Sequence, residues 1–293
     1  ICYIVFFFRK FKSSNMQYIE LDRKIGTYLK KIFFRNITFD NYITISQSML
    51  SLFYGLNPNA KRFDLQHGTI HSRKKSYLYN GIVSKNLKWN NVHLLLNGSG
   101  FKDILVDNDK EKYFNDNTTV IGSSLYDSDD SNRKEINKNV LVSLQFTNDH
   151  TITENKIIFK NLKKIIDDNQ SFHFYLKNQP RYNKDIDLQP LLINPNVSLL
   201  NDNLQLCFAK CSFHLTAYST VAFEAGLKGI PTCFLDSTFE NIFITQYNYP
   251  IERYMLSELY HDYSNFSLII KTWADKFYQP FSKDSFLKAI KYA

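Results

Sequence analysis

Phe213-His214-Leu215-Thr216-Ala217-Tyr218-Ser219-Thr220-Val221-Ala222-Phe223-Glu224-Ala225-Gly226-Leu227-Lys228-Gly229-Ile230-Pro231-Thr232-Cys233-Phe234-Leu235 is the stretch whose reading decides the fold. Phe213 to Thr216 is a short apolar run of strand length. Ser219 and Thr220 follow, residue types that open helices, and Ala222 to Lys228 reads as the helix. Gly229-Ile230-Pro231 stops it and leads into a second apolar strand, Pro231 to Leu235. A strand, a covering helix and a second strand in such close succession make a parallel crossover unit, which places the chain in the α/β class.

The same alternation extends outward in both directions. Upstream, Leu204 to Lys210 is helical, Phe172 to Leu176 is a strand, and Asn155 to Asp168 is a helix with Ile157, Ile158, Leu162, Ile165 and Ile166 in register. Val140 to Leu144 opens this second half as a strand, and the tail from Asn265 to Tyr292 reads as helix. Before it, Tyr126 to Lys138 (Asp127, Asp129, Asp130, Asn132, Lys134, Asn137) is polar and aperiodic, the best linker in the chain. In the first half, strands are expected at Phe63 to Gln66, Val92 to Leu96 and Thr119 to Gly122. Helices are expected at Ile19 to Phe34 and Ile43 to Tyr54. The expected division is a partial Rossmann-like domain over residues 1–125, a linker over 126–138, and a second Rossmann-like domain with a helical tail over 139–293. Ligands of such open sheets bind beyond the carboxyl ends of the strands, so a cleft between the two domains is the expected site.

Residues 1–75 hold 13 Lys/Arg against 4 Asp/Glu, a net +9, whereas the whole chain carries +8. All of the excess charge is therefore in the first quarter, which points to an acidic partner such as anionic lipid or a phosphorylated acceptor. A solvated basic face is the plain alternative. No nucleic-acid-binding motif accompanies the charge, so nucleic acid is not expected as a partner. Ile1 to Phe8 is apolar but far short of the ~20 residues a membrane span needs. It is read as a buried strand, with a membrane-touching segment as the second reading. Cys2, Cys207, Cys211 and Cys233 lack further ligands at metal-binding spacing. No metal is expected, and reduced thiols in the cytoplasm fit better.

Three segments could carry chemistry. Leu65-Gln66-His67-Gly68-Thr69 ends a strand in an imidazole and then a glycine able to turn sharply. A histidine there suits general-base work near neutral pH, since a sugar hydroxyl is a poor nucleophile until its proton is being withdrawn. A histidine that merely hydrogen-bonds a loop carbonyl is the competing reading. Leu176-Lys177-Asn178-Gln179-Pro180-Arg181 puts two cations and two amides after a strand, a setting for phosphate oxygens or simply a charged surface turn. Ser219 and Thr220 offer hydroxyls at a helix start, where a phosphate is well received, with Glu224 one turn in. There, an ordinary helix cap and an exposed glutamate are the alternatives. Asp127-Ser128-Asp129-Asp130 lies in the linker and reads as solvated loop rather than a metal site.

Taken in order, Gln66-His67-Gly68, Lys177 to Arg181, and Ser219-Thr220 with Glu224-Ala225 and Gly229-Ile230-Pro231 resemble bacterial GT-B glycosyltransferases of capsule and lipopolysaccharide assembly, including sialyltransferase-like enzymes. Teichoic-acid glycerophosphotransferases are more distantly similar. The resemblance runs from about Leu56 to Leu235. It implies a GT-B fold with the acceptor on the first domain and the nucleotide donor on the second, and with no cofactor beyond a nucleotide sugar. It implies His67 as catalytic base, with Gln66, Gly68 and Thr69 on the acceptor side. Ser143, Lys177, Gln179, Pro180, Arg181, Ser219, Thr220 and Glu224 are the implied donor contacts, Glu224 on the ribose. The implied reaction is metal-independent and inverting, on an oligosaccharide or lipid-linked acceptor. The implied place is the cytoplasm, peripheral to the inner face of the plasma membrane. Gln179 departs from the pattern, which has histidine before the proline. Glutamine can donate a hydrogen bond to a leaving group but not a proton. Transfer of glycerol phosphate from CDP-glycerol and a non-catalytic scaffold of the same fold are the alternatives.

Overall fold

Apolar strands flanked by amphipathic helices build two all-parallel sheets, one in each of two units. The computed structural model describes residues 2–10, 17–124, 126, 135–147, 150–179, 186–251 and 255–292. The first unit comprises residues 1–124 with 279–293, and the second residues 125–278.

In the first unit the strands are β1 (Asn41–Ile45), β2 (Lys61–Leu65), β3 (Leu78–Tyr79), β4 (Ile82–Val83), β5 (Val92–Leu96) and β6 (Thr118–Val120). The main sheet runs β1-β2-β5-β6, while β3 and β4 form a separate antiparallel pair. β2 and β5 are the inner strands, and Phe63, Leu94, Leu95 and Leu96 on them are almost wholly buried. The helix Tyr18–Ile32 packs on the helix Leu50–Leu56 through two glycines. A Cβ on Gly26 would lie 2.2 Å from the Leu52 carbonyl oxygen, and one on Gly55 would lie 2.1 Å from that of Arg23. Only hydrogens there allow backbones this close.

Three expectations are corrected in this unit. Ile43 to Tyr54 is not one helix. Ile43 and Ile45 point outward and Thr44 inward, a period of two that makes β1. Left-handed backbone at Ser46, Gln47 and Met49 then breaks the chain before the helix Leu50–Leu56. The N-terminal apolar run is a helix, Cys2–Lys10, rather than a strand. It docks by burying Val5 against Ile25, Leu29 and Leu52, and by the two-pronged Arg9–Asp22 ion pair at 2.6–2.9 Å. Finally, residues 279–293 belong to the first unit and not to the second. Ala289, Phe286 and Ile290 of the helix Lys283–Tyr292 pack on Phe63, Leu95 and Ile121, apolar surface that the first sheet leaves open on that side.

In the second unit the strands are β7 (Asn139–Ser143), β8 (His173–Lys177), β9 (Val197–Leu199), β10 (Phe213–Thr216) and β11 (Thr232–Phe234), ordered β11-β10-β7-β8-β9 and all parallel. The chain fills the sheet in one direction from β7 to β9, then returns to β7's other side with β10. β7 and β10 therefore flank the switch point, where open α/β sheets bind ligands. The helix Val221–Leu227 follows β10, and Phe223 on it is fully buried among Phe243, Tyr247, Trp273, Phe277 and Tyr278, with ring centroids 4.9–5.7 Å away. Gly229, at φ +66, ends the turn after that helix in a conformation that favours glycine.

Candidate functional site

In each unit, taken by itself, the candidate residues lie at strand carboxyl ends. In the first unit, β2 runs out at Leu65 and Gln66 fastens the next turn. Its backbone N–H donates to the Leu95 carbonyl, its amide oxygen accepts from Asn97 N at 3.0 Å, and its amide nitrogen donates to the Gly68 carbonyl at 3.0 Å. Gly68 has φ +78, so the turn needs glycine there. Buried Tyr77 closes the other side, its hydroxyl hydrogen-bonded by the His67 backbone and the Gln47 side chain. Burial and the neighbouring Asp64 charge hold that phenol well above its ordinary pKa. The His67 backbone is thus pinned while its side chain stays exposed. Thr69 is half-buried, and its carbonyl accepts from Lys74 Nζ.

Asp64 lies beneath this turn with none of its surface exposed. Burial pushes its carboxyl up to about 6, against hydrogen bonds from Thr44 and Gln47 and the charge of His67. His71, farther along the loop, is driven down to about 4 by burial and the nearby Lys74 and Arg73.

In the second unit, Ser143 closes β7, in register with Lys177 on β8 and Thr216 on β10. The Ser143 hydroxyl lies 2.9 Å from His214 Nε2, and His214 Nδ1 lies 2.9 Å from the Thr232 hydroxyl. Complete burial depresses His214 to about 3, so this chain of hydroxyls is held by a neutral ring. Past β7, Gln145 Oε1 accepts from Tyr218 N at 2.8 Å and from Thr216 Oγ1 at 3.1 Å, tying the loop after β7 to the loop after β10. The Tyr218 and Thr147 hydroxyls meet at 2.9 Å. Ser219 Oγ accepts from Val221 N at 3.2 Å, and Thr220 makes no side-chain cap. Glu224 is half-buried, and loss of solvation raises its carboxyl pKa.

At the level of sequence, the chain matches no protein-family profile and no curated protein. Its three-dimensional likenesses are extensive. S. aureus MnaA in a co-structure with UDP superposes with TM-score 0.60 over 94% of this chain and 80% of that one, at 14% identity. A putative UDP-N-acetylglucosamine 2-epimerase from Listeria monocytogenes gives 0.53 over 95% and 81%, at 13% identity. The pneumococcal O-GlcNAc transferase GtfA in complex with UDP and GlcNAc gives 0.52 over 92% of this chain and 58% of that one, at 12% identity. The fold is GT-B.

Within that fold, the sequence-derived residues fall into two groups. His67, Gln66, Gly68 and Thr69 share one turn of the first unit. Ser143, Lys177, Ser219 and Thr220 lie at neighbouring strand ends of the second, with Glu224 in the helix that follows. Several are occupied locally. Gln66 builds the turn, Ser219 accepts from its own helix start, and Lys177 Nζ donates to the Asp202 carbonyl. Gln179 is half-buried with its Oε1 enclosed and unbonded, an acceptor where the resembled pattern has imidazole. Pro180, Arg181 and Asp127 to Asn132 lie outside the described residues. Sequence reasoning passed over Asp64, Tyr77, Gln145 and His214. The one available signal was a polar or ionisable residue inside an apolar strand, as in Phe63-Asp64-Leu65 and Phe213-His214-Leu215. Among the described residues, no group of three or more His, Cys, Asp or Glu is placed to hold a metal ion.

Proposed function

We propose that the protein is a glycosyltransferase that moves a sugar from a nucleotide-activated donor to a hydroxyl of a growing surface polysaccharide or lipid-linked acceptor. The observation that carries this is the exposed His67 ring on a backbone pinned by Gln66, Gly68 and Tyr77, at a strand end of a GT-B fold. His67 takes the acceptor proton as the hydroxyl oxygen forms its bond to the anomeric carbon. The bond from that carbon to the donor phosphate oxygen breaks, its electron pair leaving with the nucleotide. Attack opposite the leaving group inverts the anomeric centre. The Ser143, Ser219 and Thr220 hydroxyls and Lys177 meet the charge on the departing phosphate without a metal. Glu224, a half-buried acceptor, takes the ribose hydroxyls. The UDP in the MnaA and GtfA structures supports a nucleotide-sugar donor.

A peripheral membrane position is part of the proposal. The helix Tyr18–Ile32 and the residues after it expose Tyr28, Ile32 and Phe33 beside exposed Lys24, Lys31 and Arg35. Apolar and cationic groups on one surface suit an anionic lipid face. No helix among the described residues is long and apolar enough to cross a membrane.

The test pairs nucleotide binding with turnover. His67→Ala is expected to abolish transfer and leave the affinity for UDP or CDP unchanged. Unchanged turnover removes His67 from the mechanism. A second reading, a nucleotide-sugar epimerase, is favoured by the 0.60 and 0.53 likenesses. Conversion of UDP-GlcNAc to its epimer without any acceptor, seen by proton NMR, decides for it. Activity with CDP-glycerol marks a glycerophosphotransferase, and failure of UDP, CDP, CMP and GDP alike to raise the melting temperature points to a scaffold.

A further inference from the structure

Asp64 is a buried carboxylate with one oxygen unused. Oδ1 accepts from Thr44 Oγ1 at 2.7 Å and from Gln47 N at 2.6 Å. Oδ2 is enclosed and receives no hydrogen bond. An enclosed acceptor left unpaired is unfavourable, so the position calls for a donor. Nearby cations do not supply it. Arg62, two residues back on the same face of β2, donates to the carbonyls of Asn57, Pro58 and Asn90. Lys74 donates to the Thr69 carbonyl and lies over the Tyr77 ring. β1 and the turn after it present only the Thr44 hydroxyl and Gln47 N–H, and β5 presents Leu94 in register. The titratable groups that feel the Asp64 charge are His67, three residues on, and Tyr77, whose hydroxyl is already engaged.

We propose that Asp64 is a positioning residue for His67: its free Oδ2 accepts an imidazole N–H, fixing the ring's tautomer and turning the other nitrogen to the incoming hydroxyl. The catalytic half of this rests on the base role proposed for His67; the pairing itself does not. When the outer nitrogen takes the hydroxyl proton, the carboxylate faces the imidazolium and stabilises it. The proton stays on the ring until water removes it after the nucleotide has left. Burial sets the acidic limit, since the carboxyl, raised to about 6, must be ionised to accept.

Ring nitrogen-15 NMR of His67 in the full chain tests the pairing, with Asp64→Asn as the variant. Asparagine keeps an oxygen for Thr44 and Gln47 and puts an NH2 where Oδ2 was. In the parent protein at about pH 8, where the Asp64 carboxyl is ionised, one His67 tautomer is expected to predominate, its N–H held by Oδ2. In Asp64→Asn both tautomers are populated. Identical ring spectra in the two proteins overturn the proposal. If the variant does not fold, the parent spectrum decides alone, and a tautomer ratio no different from that of free histidine overturns it. In turnover, kcat of Asp64→Asn is expected to fall about 100-fold with KM little changed. An unchanged kcat overturns the catalytic half. The spectra need no turnover, so a parent protein without transfer activity sinks the transferase reading and leaves the pairing to be judged separately.

Discussion

Glu224 shows how a single side chain is prepared by its surroundings. Its helix is held by Phe223, stacked on Trp273 with centroids 4.9 Å apart at 12°. The next residue is thereby fixed half in and half out of solvent, where desolvation raises its carboxyl pKa. A carboxylate in that state gains from hydroxyl donors more than an exposed one does. Glu224→Gln is expected to weaken nucleotide binding by about tenfold, or roughly 1.4 kcal/mol, the lower range for a hydrogen bond to a charged group. In the parent protein, affinity is expected to rise with pH as the raised carboxyl ionises. Titration calorimetry with UDP and CDP reads both effects. Equal affinity in the two proteins excludes Glu224 from the ribose site.

At the scale of elements, the crossing of the helices Tyr18–Ile32 and Leu50–Leu56 sets up the first unit. Those helices bury Leu29 and Leu52 between them, and the turn that precedes the second supplies Gln47 N–H to Asp64. Gly26→Ala pits two effects against each other. Helix propensity favours alanine by about 1 kcal/mol, whereas a methyl 2.2 Å from the Leu52 carbonyl oxygen forces the helices apart. Backbone cannot yield as a flexible side chain can, so overpacking wins, and a net loss of about 1–3 kcal/mol is expected. Thermal denaturation checks it, and an unchanged or higher Tm would show that the helices separate freely.

The whole molecule carries opposed pH responses. His214 is depressed to about 3, and His71 and His93 to about 4, by burial. Below about pH 6.5 the unfolded chain takes up protons that these native rings refuse, so stability falls as pH falls. Asp64 acts in the other direction. With its carboxyl raised to about 6, the native state is protonated first, and stability is gained as pH drops through that value toward the ordinary carboxyl range. Each fully buried group contributes about 1.4 kcal/mol per pH unit across its window. His214 and Asp64 roughly offset each other, and His71 with His93 tips the balance to a net loss. The urea midpoint is expected to be lower at about pH 4.5 than at pH 7. A midpoint that holds or rises shows that these rings are not kept neutral.

The sequence by itself determined the α/β class and the crossover from Phe213 to Leu235, because apolar strands and helix stops are local signals that neighbours in the chain can read. It also determined the His67-Gly68 turn, since the left-handed backbone at residue 68 is a property of that residue. It could not place β1, where Ile45, Met49, Leu52 and Phe53 repeat at a helical spacing that runs on from the alternating Ile43 and Ile45, and only pairing with β2 separates the two. Nor could it send residues 279–293 back to the first unit, a choice made by apolar surface on β2, β5 and Ile121 more than 150 residues earlier in the chain. The burial of Asp64 and the Ser143–His214–Thr232 hydroxyl chain likewise belong to the tertiary structure. Their chemistry arises from strands distant in sequence excluding water together, and desolvation of that kind leaves no local trace in the chain.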